Sequence, residues 1–254
     1  MLTFAMTTTT KLAGLSLYKK DKLLGEIHVE MAKTHSTTIL EQIDSLLKWT
    51  GKKLDEIENV IVSIGPGSFT GVRIAISVIK GLFFGKNVNF YEVNELDALG
   101  FQGYYNLKIN LENDENVKIY SLIDSRKEKI YCSAYEIFCE KAGNKLELVK
   151  NYEVTKLDNV IEEIIENKQN GENNKKIYLI GDAVFNYKAK ILDKLGDFVR
   201  IFEDKNLAIN TMTYVEMFLD ESFKNDDVIG LKKTDIFNLK PDYLEKSQAE
   251  RDKK

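Results

Sequence analysis

The chain is poor in the residues from which metal centres, disulfide scaffolds and membrane spans are built. Two cysteines, Cys132 and Cys139, and two histidines, His28 and His35, are all that its 254 residues offer. The cysteines sit in or beside one strand-like run, too few for a disulfide framework or a zinc site. With the histidines on separate elements, no metal is expected. Apolar runs are interrupted well short of the ~20 residues that a membrane helix needs. Basic residues are not in excess: 36 Lys and Arg against 40 Asp and Glu give a net charge of -4. The whole chain therefore has no global grip on nucleic acid, and contact with RNA requires a local patch or a partner. Residues 1–10 lack a basic n-region and a small-residue cleavage site, so no secretory leader and a cytoplasmic residence are expected.

Standard catalytic and phosphate signatures are also missing. No lysine follows Gly71, which excludes a Walker A loop, and Gly65, Gly67 and Gly71 are spaced Gly-x-Gly-x3-Gly rather than Gly-x-Gly-x-x-Gly. Ser68 lacks the Gly-x-Ser-x-Gly setting of a nucleophile elbow, and neither histidine is placed by sequence as its base. What remains is an ordinary globular composition, 43% hydrophobic and 30% charged, long enough for one large domain or two of common size.

The most informative stretch is NVIVSIGPGSFTGVRIAISVIKGLFFG, residues 59–85. Its β-branched start, Val60, Ile61, Val62 and Ile64, predicts a buried strand that stops at Gly65-Pro66-Gly67. Ser68 or Thr70 is suited to cap the helix that follows, which runs through Phe69 and Gly71. Two readings of this corner stand: a tight strand-to-helix turn, or an anion site built from free helix N–H groups and close-approaching glycines. The helix is apolar on nearly every side, with only Arg73 and Lys80 charged, so it must be covered by its own domain or by a partner.

Periodicity elsewhere predicts strands at Leu2 to Met6, Leu12 to Tyr18 and Leu23 to Glu30, the last with a bulge near Gly25. A helix from Ser36 to Trp49 carries Ile39, Ile43, Leu46 and Leu47 on its stripe; a strand at Val88 to Val93 and a helix from Asn94 to Tyr104 close the first half. After a polar linker at Asn110 to Asn116, strands at Val117 to Ile123, Lys129 to Ile137 and Lys145 to Asn151 precede a helix at Thr155 to Lys168. A loop (Gln169 to Lys176), a short strand (Ile177 to Ile180), a helix (Ala183 to Leu195), an extended run (Phe198 to Phe202) and a helix (Ala208 to Phe223) complete the chain. The order is βββαβαβα twice, dividing into lobes at 1–108 and 109–254. This order resembles the duplicated ribonuclease-H-like architecture of the actin, Hsp70 and sugar-kinase superfamily, an α/β fold. Three strands before the first helix speak against the rival doubly wound fold.

Within that frame the residues resemble the TsaB (YeaZ) family of the TsaD-like group. GPGSFTGVRIAISVIKGL, Gly65 to Leu82, is similar to the family signature. LIDSRKEKIYCSAY, Leu122 to Tyr135, resembles its second-lobe hairpin, and Thr34-His35-Ser36 its helix opening. Leu179-Ile180-Gly181-Asp182 resembles its glycine turn, and Pro241-Asp242-Tyr243-Leu244 its closing P-x-Y-L. The resemblance implies a non-catalytic scaffold and dimerisation subunit of the bacterial machinery that makes threonylcarbamoyladenosine beside the tRNA anticodon. The partners it implies are a TsaD-like catalytic subunit, a TsaE-like ATPase reached through the complex, a second copy when the chain is alone, and tRNA indirectly.

Thr7, followed by Thr8, Thr9 and Thr10, stands where the family pattern usually carries Asp, so the turn lacks the carboxylate that positions metal or water in phosphoryl-transferring relatives. Catalytic relatives carry a second histidine where this chain has Ile39, which leaves His35 to cap or pack. No resident cofactor is expected. The resemblance makes Thr7, Thr8, Thr9, Asp124, Ser125, Arg126 and Gly181 the candidates for weak ATP or ADP contact between lobes. Asp124 and Arg126 are spaced for a hairpin ion pair, and Glu92 and Glu95, at a strand end, for solvation. Ile76, Lys80 and Phe83, with Ile39 and Ile43, are the residues expected to face the partner. The competing reading is a nucleotide switch or ATP-hydrolysing enzyme acting through its own interlobe cleft; a dinucleotide enzyme using Gly65–Gly71 is more remote. The Glu245 to Lys254 tail is expected to be solvated.

Overall fold

A computed structural model describes residues 1–30, 35–108, 116–140, 143–170, 175–203, 207–223 and 229–244. In chain order its elements are β1 (Leu2–Thr7), β2 (Leu12–Lys19), β3 (Lys22–Glu30), α1 (His35–Thr50), β4 (Asn59–Gly65), α2 (Phe69–Phe83), β5 (Asn89–Asn94) and α3 (Glu95–Leu107). They continue with β6 (Val117–Asp124), β7 (Lys129–Glu140), β8 (Gly143–Lys156), α4 (Leu157–Gln169), β9 (Lys176–Ile180), α5 (Asp182–Asn186) and α6 (Lys188–Leu195). β10 (Val199–Ile201), α7 (Thr211–Leu219) and β11 (Leu231–Thr234) follow. The chain forms two compact units, Met1–Ala98 with Asn210–Lys254, and Leu99–Ile209. The sequence pattern assigns 109–254 to one lobe, whereas in the structure α7 and β11 pack with the first unit, β11 by pairing with β5.

The sheet of the first unit runs β11-β5-β4-β1-β2-β3. β1, β2 and β3 form an antiparallel meander, and β4 and β5 lie parallel beyond β1. The expected bulge is present: Leu17 pairs with Gly25 but Tyr18 pairs with Leu23, leaving Leu24 as the extra residue. The second sheet, β10-β9-β6-β7-β8, repeats the same order and directions. Two βββαβαβ runs with antiparallel first strands and parallel later ones are the duplicated ribonuclease-H-like topology of the actin and sugar-kinase fold.

Period-two alternation gives the central sheet of the first unit two different faces. Leu2, Phe4 and Met6 of β1, Leu15 and Leu17 of β2, and Val60 and Val62 of β4 turn to one side and join Ile39, Ile43 and Leu46 of α1. Val72, Ala75, Ile76, Ile79 and Phe83 of α2 enter the same apolar cluster. The other side carries Thr3, Thr7, Ser16 and Ser63, all buried, and α7 packs against it over β1 and β2. A side chain at Gly14 would press its Cβ to 2.9 Å from Thr211, so that glycine lets α7 sit close. The polar inward face is what positions the site described next.

Several elements differ from expectation. The helix predicted at 183–195 breaks at Tyr187 into α5 and α6, and the one predicted at 208–223 is confined to α7. β8 is twice as long as its apolar run, at 14 residues. Most of the polar linker and the charged tail lie outside the described residues.

Candidate functional site: the glycine corner and the threonine turn

β4 ends in Gly65, whose φ of 106° belongs to glycine. Of the two predicted caps, Ser68 closes α2, its side chain accepting from the Gly71 N–H at 3.3 Å. Gly67 and Gly71 do permit a close backbone approach, and the backbone they admit is the protein's own. A Cβ at Gly71 would lie 1.9 Å from the Thr8 carbonyl oxygen, and one at Gly67 would lie 2.3 Å from that of Thr9. The Ser68 N–H donates to the Thr9 carbonyl at 2.5 Å, and Thr8 Oγ1 donates to the Gly71 carbonyl at 2.6 Å. The corner is thus fastened to the β1–β2 turn, the first of the two readings left open by the sequence.

Thr7, Thr8 and Thr9 are buried, and their hydroxyls are engaged within the first unit. Thr9 Oγ1 donates to Glu95 Oε1 at 2.5 Å, Thr7 Oγ1 to the same oxygen at 3.2 Å, and Tyr214 Oη to Glu95 Oε2. Burial pushes the Glu95 carboxyl above its ordinary range, opposed by hydrogen bonds from Thr9, Tyr214, Ser63 and Thr7. Burial and the neighbouring Glu95 push the Tyr214 phenol well upward. Glu92 and Glu95, expected from their strand-end position to be solvated, are drawn inward instead. Glu95 is fully buried and Glu92 half-buried, its carboxyl raised chiefly by burial. Glu95 opens α3 directly after β5, an interior strand paired with both β11 and β4, so the chain enters the helix inside the unit rather than out in water. Its position on the first turn of a helix, followed by buried Leu96 and Ala98, was the available signal.

In the second unit, Asp124 Oδ1 accepts from the Arg126 N–H at 2.8 Å and the Tyr187 hydroxyl at 3.2 Å. Its Oδ2 accepts from Asn186 at 2.9 Å, while Asp182 accepts the Asp124 N–H at 2.9 Å. The side-chain pair expected between Asp124 and Arg126 is replaced by this backbone bond. Arg126, Lys127 and Glu128 all take left-handed φ (68°, 53° and 59°) in the β6–β7 turn that follows Ser125. Gly181, at φ 116°, again serves internal packing: a Cβ there would meet the Leu122 carbonyl oxygen at 2.0 Å. Asp182 belongs to the glycine-turn motif quoted from the sequence; Asn186 and Tyr187 were not singled out, because Asn and Tyr near a short helix carry no distinctive spacing.

Of the expected partner-facing residues, Ile39, Ile43, Ile76 and Phe83 are buried in the first unit's own core, so their side chains face inward. Lys80 is partly exposed and donates to the Phe237 carbonyl at 3.3 Å. The outward face of α2 is offset from the expected one. Phe69, Thr70, Arg73, Ile74 and Ser77 line a shallow, open depression of about 300 Å³. The closing Pro241–Leu244 motif meets the signature stretch here: the Asp242 N–H donates to the Ile64 carbonyl at 2.8 Å, and Tyr243 stacks on Phe69 with centroids 4.9 Å apart.

The remaining candidates are quieter. Cys132 is buried, its thiol pushed up to about 12 by desolvation. His28 Nε2 lies 3.6 Å from Glu26, while the side chains of His35 and Cys139 fall outside the described residues. Among the described residues, no three His, Cys, Asp or Glu side chains form a group that could hold a metal ion. No described helix is long and apolar enough to cross a membrane.

Repeated topology and a zipped glycine corner define a member of the actin-like and sugar-kinase class with its own signature loop. The family model described as TsaD, tRNA N6-adenosine threonylcarbamoyltransferase, matches residues 23–224. The tRNA threonylcarbamoyladenosine biosynthesis protein TsaB of Bacillus subtilis (strain 168) is 24% identical over 98% of this chain and 96% of its own length. TsaB of Haemophilus influenzae is 31% identical over 51% of each chain. The solved structure of YeaZ from Pseudomonas aeruginosa superposes with a TM-score of 0.67 at 17% identity, covering 96% of this chain and 99% of that one. The chain belongs to the TsaD family, among its TsaB (YeaZ) members, a group involved in tRNA threonylcarbamoyladenosine biosynthesis.

Proposed function

We propose that this protein is a non-catalytic subunit of the cytoplasmic machinery for tRNA threonylcarbamoyladenosine, and that it binds and supports a TsaD-type catalytic subunit. One observation carries the reading: the Thr7–Thr9 turn is closed on itself. Its hydroxyls are engaged by Glu95 and by the Gly71 carbonyl, and its backbone is fastened to the glycine corner. A turn that is to cradle phosphate needs free donors and room for close approach, and here both are used internally.

The outer face of α2 supports the second half of the proposal. Its inner residues fill the unit's core, while Ile74, Val78 and Leu82 are only partly covered and Ser77 and Gly81 are exposed. An apolar helix with small exposed residues suits close packing against a foreign surface. A TsaD-type subunit is the partner, the chain also pairs with itself when alone, and a TsaE-type ATPase and tRNA join through the complex. The protein carries no resident cofactor, and ATP or ADP binding is at most weak.

Two measurements test this reading. The protein is mixed with the TsaD-type subunit of the same organism, and tRNA modification is followed with and without it. The expected result is a stable complex and modification that depends on both chains. Magnesium-dependent ATP turnover by this protein alone, with no effect on modification, would instead support a nucleotide-driven enzyme.

A further inference from the structure

The chain crosses between its two units twice. It leaves the first unit within α3, after Ala98, and re-enters it at Asn210, directly before α7. The crossings are built differently: the outward one is a continuous helix, whereas residues 207–210 of the return are non-helical. Asn210 is fixed to the helix it precedes, its side chain accepting from the Met212 N–H at 2.8 Å. On the second unit's side, Gln102 of α3 donates from Nε2 to the Ala208 carbonyl at 3.0 Å. This half of α3 also lies hard against the second sheet, since a Cβ at Gly100 would meet the Tyr135 ring at 2.6 Å.

Glu95 ties the same two crossings together on the first unit's side. It stands on the first turn of α3, just before the outward crossing, and its Oε2 accepts from Tyr214 on the first turn of α7, just after the return. Its Oε1 is held by the β1–β2 turn, through Thr9 at 2.5 Å and Thr7 at 3.2 Å. All four side chains are buried, where hydrogen bonds are stronger than at a wetted surface. Compact units of one chain move relative to each other by default, and such motion is absorbed by a few residues at loops or element ends. We propose that the Glu95–Tyr214 bond is a latch on that motion. With the bond closed, the two crossings move as one body; with it open, residues 207–210 bend independently of α3 and act as the hinge. The latch is a property of the lone chain and holds whether or not a partner subunit is bound.

Electron–electron double resonance on the full chain tests it, with spin labels at the exposed positions Lys53→Cys in the first unit and Lys194→Cys in the second. Cys139→Ser removes one competing thiol, and Cys132 is buried. The labelled parent is expected to give one narrow distance distribution. Tyr214→Phe keeps the ring, removes the latch hydroxyl and should broaden or shift that distribution. Gln102→Leu, which opens the tie in the second unit, should do the same to a smaller extent. Thr9→Val removes a bond to the same carboxylate without touching the return crossing, so it should leave the distribution unchanged. Circular dichroism establishes that each variant is folded. A Tyr214→Phe distribution that superposes on the parent's overturns the inference, as does a parent distribution that is already broad. Equal broadening in Thr9→Val overturns it too, because the effect would then be a general loosening of the first unit.

Discussion

Thr7 Oγ1 donates to Glu95 Oε1 at 3.2 Å across 88 positions of sequence. The turn that lacks a carboxylate in sequence thus has one beside it in space. A Thr7→Asp substitution would set a second carboxylate against the first in a buried setting, and like charges there cannot both ionise without cost. It is expected to destabilise by about 3 kcal/mol or more. Adding Glu95→Thr should recover most of that loss, so the double variant is more stable than Thr7→Asp alone. Denaturant unfolding of the four proteins in the cycle checks the sign of the coupling.

The raised Glu95 carboxyl makes a pH prediction. A group whose folded-state pKa lies above its unfolded value stabilises fully below the unfolded value, near 4.5 here, and that contribution is lost as pH rises through the folded one. Relative to Glu95→Gln, the parent protein should therefore lose stability as pH rises above 4.5, with a limiting slope of about 1.4 kcal/mol per pH unit. Above the folded pKa the difference becomes flat. Unfolding free energies of both proteins across this window measure it, and a parent that gains stability relative to Glu95→Gln with rising pH would contradict the assignment.

The glycines of α2 should separate cleanly. At Gly71 a methyl group would sit 1.9 Å from the Thr8 carbonyl oxygen, whereas at Gly81 nothing lies within 4 Å. Gly71→Ala is expected to cost about 3 kcal/mol or more by forcing the corner off the threonine turn. Gly81→Ala should stabilise the lone chain by about 0.5–1 kcal/mol through helix propensity. Thermal melts of the two variants decide it.

Adjacent positions on the same helix should also differ. Ile76 lies in the core cluster, and Ser77 is exposed on the outer face. Ile76→Asp buries an unpaired charge and is expected to unfold the unit, at about 4 kcal/mol or more. Ser77→Asp should leave stability within about 0.5 kcal/mol of the parent. Circular dichroism melts distinguish the two.

Local chemistry was legible in the sequence, and long-range chemistry was not. Ser68 as the cap, the bulge beside Gly25 and the repeated βββαβαβα order all follow from spacing within a few residues. Glu95 could not be read as buried because its hydroxyl partners Thr9 and Tyr214 lie 86 and 119 positions away. β11 escaped notice because an edge strand of four residues, LKKT, has neither the length nor the alternation of a half-buried strand. The helix after the glycine corner shows the limit most clearly. Where every side is apolar, periodicity cannot say which side faces home: Ile76 lies in the core, and Arg73, Ile74 and Ser77 hold the outward position.

The most direct test of the account is the affinity of Ser77→Trp for the TsaD-type subunit, measured by titration beside a thermal melt. An indole at this exposed position would fill the depression on α2 without touching the core. The account predicts an unchanged melting temperature and no measurable complex. A folded Ser77→Trp protein that binds as tightly as the parent and still supports tRNA modification would contradict it.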